Sequence, residues 1–217
     1  MQPGHIGFIM DGNGRWAKAR GMSRAEGYAY GLVALRKVLK RLGECGVGVV
    51  SVYAFSTENW QRPQAEIDAI SQVVKKFNLT YDGDMKITYM GDINAIDDDL
   101  AYSIEQIEKN TADNKGGWLN VAFNYGGRAD IVNAAKICYD HGEFVEDTFE
   151  KHLSSGALPP LDLVVRTGGE MRLSNFMLYE SAYAELMFLD KLWPDMDESD
   201  VDVILSDFEK RQRRFGK

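Results

Sequence analysis

The chain has 217 residues, 45% of them hydrophobic and 27% charged, a composition typical of a folded globular protein with enough length for a sizeable core. Its net charge of −8 argues against nucleic acid as a partner, because a phosphate backbone would be repelled, yet it leaves room for a local basic pocket around a small anion. The longest apolar run, 47–55, is far short of the roughly 20 residues of a membrane span, and no secretory signal precedes the first strand.

The first predicted element is an apolar strand, 6–10, that breaks at Asp11-Gly12-Asn13-Gly14. A basic, aromatic segment with helical character follows, and then a helix over 25–42. Next come strand 47–55, helix 64–77, strand 85–90, helix 97–111, strand 118–123, and helices 129–139 and 145–153. Strands 161–166 and 184–189 and a terminal helix, 198–213, complete the order. Asp97-Asp98-Asp99 reads as the cap of the helix that begins there. Cys45 and Cys138 lie in separate apolar segments without metal-like spacing and read as reduced residues of a cytoplasmic protein, peripheral to a membrane at most. Strand and helix alternate without a repeat, low-complexity tract or linker. The expectation is one α/β domain, 1–217, with a mostly parallel central sheet flanked by helices.

The segments after the strands carry the chemistry. They read Asp11-Gly-Asn-Gly-Arg15, Ser56-Thr-Glu-Asn-Trp60, Asn124-Tyr-Gly-Gly-Arg128 and Arg166-Thr-Gly-Gly-Glu-Met-Arg172. Ligands of parallel sheets bind beyond the carboxyl ends of the strands. Taken singly, each glycine reads more readily as a turn residue and each arginine as a solvated or ion-paired one. Four such loops on one sheet edge point to a shared anion site. Asp11 is repulsive to a phosphate unless a cation lies between them, and Mg²⁺ binds through one or two carboxylates plus phosphate oxygens and water. Neither G-x-x-x-x-G-K-[ST] nor a helix-opening G-x-G-x-x-G is present, so ordinary nucleotide binding is disfavoured.

The segments HIGFIMDGNGRWAKARG, YAFSTENWQRP, NVAFNYGGRADI, DLVVRTGGEMRLSNFMLYESAYAELMF and RRFGK, together spanning 5–217, closely resemble the cis-prenyltransferase family typified by undecaprenyl diphosphate synthase. The resemblance implies an open α/β sheet whose helices enclose a hydrophobic tunnel, usually in a homodimer. The implied reaction is Mg²⁺-dependent condensation of isopentenyl diphosphate with an allylic diphosphate, farnesyl diphosphate first among them, with new double bonds in the Z configuration. By resemblance Asp11 and Asn59 are the catalytic candidates, and Asp11 and Glu185 the metal candidates. Gly12, Asn13, Gly14, Arg15, Trp16, Arg24 and Tyr28 match the allylic diphosphate loop and the helix after it. Ser56, Glu58, Trp60 and Arg62, with Asn59, match a loop that closes over substrate. Arg166, Arg172 and Ser174 match the isopentenyl diphosphate cradle, and Arg214 and Gly216 a terminal element that reaches the partner subunit's site.

Four residues depart from the family pattern. Tyr28 and Met171 stand where histidine is usual, and Tyr179-Glu180 replaces a Trp-Gln pair. A compact stretch over 63–91 suggests a shorter tunnel helix, with Ala54 and Phe123 as candidate wall residues. Undecaprenyl diphosphate is the first expectation for product. A short- or medium-chain Z-prenyl diphosphate and a non-catalytic partner subunit are the alternatives, and a peripheral membrane contact is compatible with product release.

Overall fold

The computed structural model describes residues 2–211. Arg214 and Gly216, expected in the terminal element, lie outside the described residues, as does the end of the expected helix 198–213.

Six strands form one sheet: β1 (His5–Ile9), β2 (Val49–Ser56), β3 (Lys86–Met90), β4 (Trp118–Tyr125), β5 (Leu163–Arg166) and β6 (Glu185–Phe188). Their order is β3-β4-β2-β1-β5-β6, and every neighbouring pair is parallel. Parallel neighbours need crossovers, which the helices supply: α1 (Asn13–Ala19), α2 (Arg24–Glu44), α3 (Gln64–Thr80), α4 (Asp98–Thr111), α5 (Gly127–His141), α6 (Glu146–His152) and α7 (Glu198–Glu209).

The basic segment after β1 is a separate short helix. The chain turns at Gly21, and Ser23 then caps α2 in a reciprocal box with Glu26, an S-x-x-E start signal. Asp97 caps α4 by accepting from the Leu100 amide, as expected for the Asp97-Asp98-Asp99 run. Helix α3 runs to Thr80, three residues past the end expected from the sequence.

Both faces of the sheet are covered. Ile6, Phe8, Val50, Val52, Leu163 and Val165 pack against Ala34, Leu35 and Val38 of α2 and Val201, Ile204 and Leu205 of α7. Ile9, Val164 and Ala122 pack on the other side with Phe176 and Met177. Phe55 and Phe123 meet Ile67, Ile70 and Val74 of α3 and Leu100 and Ile104 of α4.

One chain of buried polar groups crosses the strands. His5 Nδ1 lies 2.9 Å from the Pro159 carbonyl, and its Nε2 lies 2.8 Å from Ser51 Oγ. Asn120 Nδ2 donates to Ser51 Oγ, Thr88 Oγ1 to Asn120 Oδ1, and Trp118 Nε1 to Thr88 Oγ1. A carbonyl only accepts, so Nδ1 carries the proton and neutral Nε2 accepts from the serine. Burial holds the His5 pKa below the ordinary value of 6.5, against the opposing pull of the Pro159 carbonyl and Asp162. The unfolded chain therefore takes up a proton that folded His5 refuses. This contribution to stability is complete above pH 6.5 and is lost progressively as the pH falls below it. Urea midpoints measured at pH 7.5 and 5.5 are expected to fall with pH, and His5→Gln is expected to flatten that slope.

Candidate active site

The carboxyl ends of β1, β2, β4 and β5 converge on one cavity of about 1380 Å³. After β1 the chain passes Asp11 and reaches Gly12 at φ 111°, where a Cβ would press on Leu192 at 2.8–3.0 Å. Only glycine fits a left-handed turn this close to another segment.

Asp11 ties two of the loops together. Its Oδ1 accepts from Arg15 Nη2 at 3.1 Å and its Oδ2 from Arg166 Nη2 at 2.9 Å. Arg15 also donates to the Gly168 carbonyl at 2.6 Å, and Arg166 Nη1 donates to the Arg172 carbonyl at 2.6 Å and to Ser174 Oγ at 2.7 Å. The Arg166 side chain is 5% exposed and that of Asp11 30%. Burial opposes the Asp11 charge, but the hydrogen bonds and charges of Arg166 and Arg15 outweigh it and hold the carboxyl below the usual aspartate value. Arg166 Nε is buried without a protein partner.

Gly168 sits at φ 86°, and a Cβ there would approach Arg15 Nη2 to 2.4 Å and the Asp11 backbone to 3.2 Å. Gly168→Ala is expected to cost about 1–3 kcal/mol through the strained backbone. It should also displace Arg15 and so weaken binding of inorganic pyrophosphate. A thermal melt and a pyrophosphate titration read the two effects separately.

Two further clusters line the mouth. Asn175, at φ 68°, accepts from the Arg128 amide, donates to Glu58 Oε1 at 2.8 Å, and follows Ser174 at φ 49°. Glu66, buried at the start of α3, accepts from Arg24, Tyr28 and Arg62. Asn59 Oδ1 accepts from the Ser56 amide within a single 3-10 turn, Thr57–Gln61.

Asp11, Gly12, Asn13, Gly14, Arg15, Arg24, Tyr28, Ser56, Glu58, Asn59, Arg62, Arg166, Arg172 and Ser174 all line the cavity. Three expected site residues do not. Trp16 is buried against Tyr30 and under the Arg20 guanidinium, and donates its indole N–H to Asp195. Trp60 stands edge-on to Phe55 and donates to Asn124 Oδ1 at 2.7 Å, which pins the turn from outside the cavity. Glu185 pairs in register with Leu163, which pairs with Ile6, so it lies at the amino edge of the sheet. That is roughly 16 Å along the strands from the level of Asp11 at 3.3 Å per residue. Within one chain Glu185 cannot share an ion with Asp11, and it pairs instead with Arg211 at 2.9 Å.

Arg128, from the expected loop after β4, lines the mouth as well, and so do Glu66 and Asn175, which the sequence does not single out. Behind it the cavity becomes apolar, between Leu32 and Leu35 of α2, Ile70, Val73, Val74 and Phe77 of α3, and Val52, Ala54, Phe55, Tyr89 and Val121 of the sheet. Phe123 stacks on Phe55 and is not in the lining. From Arg24 to Leu35, as from Glu66 to Phe77, the helix rise gives a depth of roughly 16 Å.

Among the described residues no group of three His, Cys, Asp or Glu side chains could hold a metal ion unaided. Asp11 nevertheless fits Mg²⁺ shared with a diphosphate. It is a charged carboxylate at the mouth of the cavity, and a carboxylate has about four lone-pair sites, more than its two arginine bonds use.

Fold and site define a class: a parallel α/β protein whose arginine-rich strand-end loops open onto a deep apolar cavity. The comparisons with known proteins narrow it. A family model described as putative undecaprenyl diphosphate synthase matches residues 9–216. An isoprenyl transferase of Neisseria gonorrhoeae is 44% identical over 222 residues, covering 99% of this chain and 90% of that protein. One from Fusobacterium nucleatum is 45% identical over 221 residues, covering 99% and 96%. The crystal structure of lavandulyl diphosphate synthase from Lavandula x intermedia, in complex with dimethylallyl diphosphate, matches with a TM-score of 0.93 at 32% identity, covering 100% of this chain and 99% of that one. A probable undecaprenyl diphosphate synthase from Campylobacter jejuni matches with a TM-score of 0.85 at 28% identity, with both chains fully covered (100%). This chain belongs to the cis-prenyltransferase family, the family of the undecaprenyl diphosphate synthases.

Proposed function

We propose that the protein condenses isopentenyl diphosphate with an allylic diphosphate, farnesyl diphosphate first among primers, and adds Z units up to undecaprenyl length. The observation that carries this reading is the joint of two arginine clusters at Asp11, opening onto an apolar cavity of about 1380 Å³. That volume exceeds the roughly 300–1,000 Å³ of ordinary small-ligand pockets, as a growing hydrocarbon requires.

In this reaction the allylic C–O bond breaks, a C–C bond forms to isopentenyl C4, and a proton leaves C2. Arg15, Arg24 and Arg62 face the leaving diphosphate, where negative charge accumulates. Arg166, Arg172 and Ser174 hold the second diphosphate, which turns a bimolecular attack into an oriented one. Mg²⁺ held by Asp11 would supply further charge neutralisation at the leaving group. The apolar walls keep water from the allylic cation. Asn59 is an amide and cannot serve as a base, so its role is to shape the turn that covers the reacting carbons. A diphosphate oxygen takes the proton.

A homodimer is part of the proposal. Strand β6 is a sheet edge with Leu186 and Tyr183 exposed beside it, and such an edge is a template for pairing. A second copy is also the route by which Glu185 could approach a metal. No helix among the described residues is long and apolar enough to cross a membrane, which is compatible with a cytoplasmic enzyme that meets membranes only for product release.

A second reading is a short-chain synthase primed by dimethylallyl diphosphate. The ligand of the lavender structure favours it, as do the aromatic residues Phe77 and Tyr89 in the deep wall. Chromatography of products made from labelled isopentenyl diphosphate with each primer separates the readings. Undecaprenyl-length product from farnesyl diphosphate supports the first, and products that stop after one or two additions support the second. No incorporation by the purified chain would instead favour the non-catalytic partner subunit.

A further inference from the structure

Glu66 is an unusual residue for the mouth of an anion site, because a carboxylate there repels the ligand. Its side chain is 6% exposed, and burying a charge is tolerated only when it is well paired. Arg24 Nη1 donates to Oε2 at 2.6 Å, Tyr28 Oη donates to Oε1 at 2.7 Å, and Arg62 Nη1 donates to Oε1 at 3.1 Å. Arg62 Nη1 also lies 3.1 Å from Tyr28 Oη. These groups come from three segments: the first two turns of α2, the residue that closes the 3-10 turn after β2, and the first turn of α3.

The carboxylate takes up each guanidinium through Nη1, while the Arg24 and Arg62 side chains keep 65% and 38% of their surface exposed. Both side chains line the cavity mouth, and that of Arg24 lies beside Gly14 of the first loop. Long arginine side chains lose rotamer freedom when a ligand immobilises them, and prior fixation removes that cost from binding. Burial, then the hydrogen bond to Glu66, raises the Tyr28 pKa well above the ordinary phenol value, so the hydroxyl acts here as a donor.

We propose that Glu66, with the Tyr28 hydroxyl as its third tie, is a positioning residue that holds Arg24 and Arg62 as a preformed clamp for the allylic diphosphate. This rests on the proposed reading of the mouth as a two-diphosphate site.

The test is a sign. If Glu66 acted only through its charge, Glu66→Gln would tighten anion binding, whereas loss of the clamp weakens it. Binding of inorganic pyrophosphate and of dimethylallyl S-thiolodiphosphate is measured by calorimetry with Mg²⁺ present, beside initial rates and thermal melts. Glu66→Gln is expected to weaken binding of both probes roughly 10- to 100-fold. It should raise the KM for the allylic substrate and leave the KM for isopentenyl diphosphate within about twofold. Tyr28→Phe, a milder change, should move the same constants in the same direction, and it alone decides if Glu66→Gln does not fold. Unchanged or tighter binding, or equal losses for both substrates, would overturn the proposal. If the wild-type protein binds neither probe, the two-diphosphate reading itself fails.

Discussion

Asp11→Asn is expected to reduce condensation by at least about 10²–10³-fold, the loss typical of removing one preorganised stabiliser of developing charge. Asparagine keeps the size of the side chain and one acceptor oxygen, so the loops after β1 and β5 keep part of their joint. What disappears is the charge that balances Arg15 and Arg166 and that would hold Mg²⁺. The variant therefore carries a second signature. Without metal, pyrophosphate should bind it at least as tightly as it binds the wild type, because both arginines lose their competing carboxylate. With Mg²⁺, the gain in affinity seen for the wild type should vanish. Titrations with and without the metal, beside initial rates, separate a metal anchor from a loop brace. Equal turnover in the variant would remove Asp11 from the chemistry.

Arg166→Lys is expected to be nearly as damaging, although the charge is conserved. The guanidinium makes three contacts in fixed directions, to Asp11, the Arg172 carbonyl and Ser174 Oγ, from a side chain that is 5% exposed. A lysine ammonium is a compact point charge and cannot span them. The Arg172 carbonyl and the Ser174 hydroxyl, both on exposed residues, would exchange their donor for water, at a net cost of about 0.5–1.5 kcal/mol per bond. The 172–175 loop, with its left-handed Ser174 and Asn175, depends on those bonds. The KM for isopentenyl diphosphate should rise by roughly 10²-fold, the combined effect of losing charge-assisted hydrogen bonds worth about 1.5–3 kcal/mol each. The allylic KM should change much less. Steady-state kinetics with each substrate varied in turn checks this, and a melting curve reads the stability loss.

Much of this arrangement was legible in the sequence for local reasons. Alternating apolar runs and amphipathic stretches mark strands and helices, and Gly-Arg loops after strands of one parallel sheet must meet at one edge. The Asp97 and Ser23 caps are likewise local signals. The remaining features depend on which segments the fold brings together. Glu66 reads as an ordinary first-turn acid of α3, and only the packing of α3 beside α2 buries it between Arg24 and Arg62. Asn175 gains its partners from a left-handed backbone that no spacing announces. Glu185 stands in the same motif-rich stretch as Arg166, but that stretch loops out and re-enters the sheet, so strand register sets the two residues at opposite ends of neighbouring strands. Trp16 lies on α1 on the side away from the cavity, where its indole finds Asp195.

The measurement that tests the central claim most directly is the geometry of the product. The purified protein is incubated with farnesyl diphosphate, ¹³C-labelled isopentenyl diphosphate and Mg²⁺, and the dephosphorylated product is read by NMR. Elongation is expected to require both diphosphates, with every newly formed double bond Z. New bonds in the E configuration, or isopentenyl incorporation that needs no allylic primer, would contradict that claim.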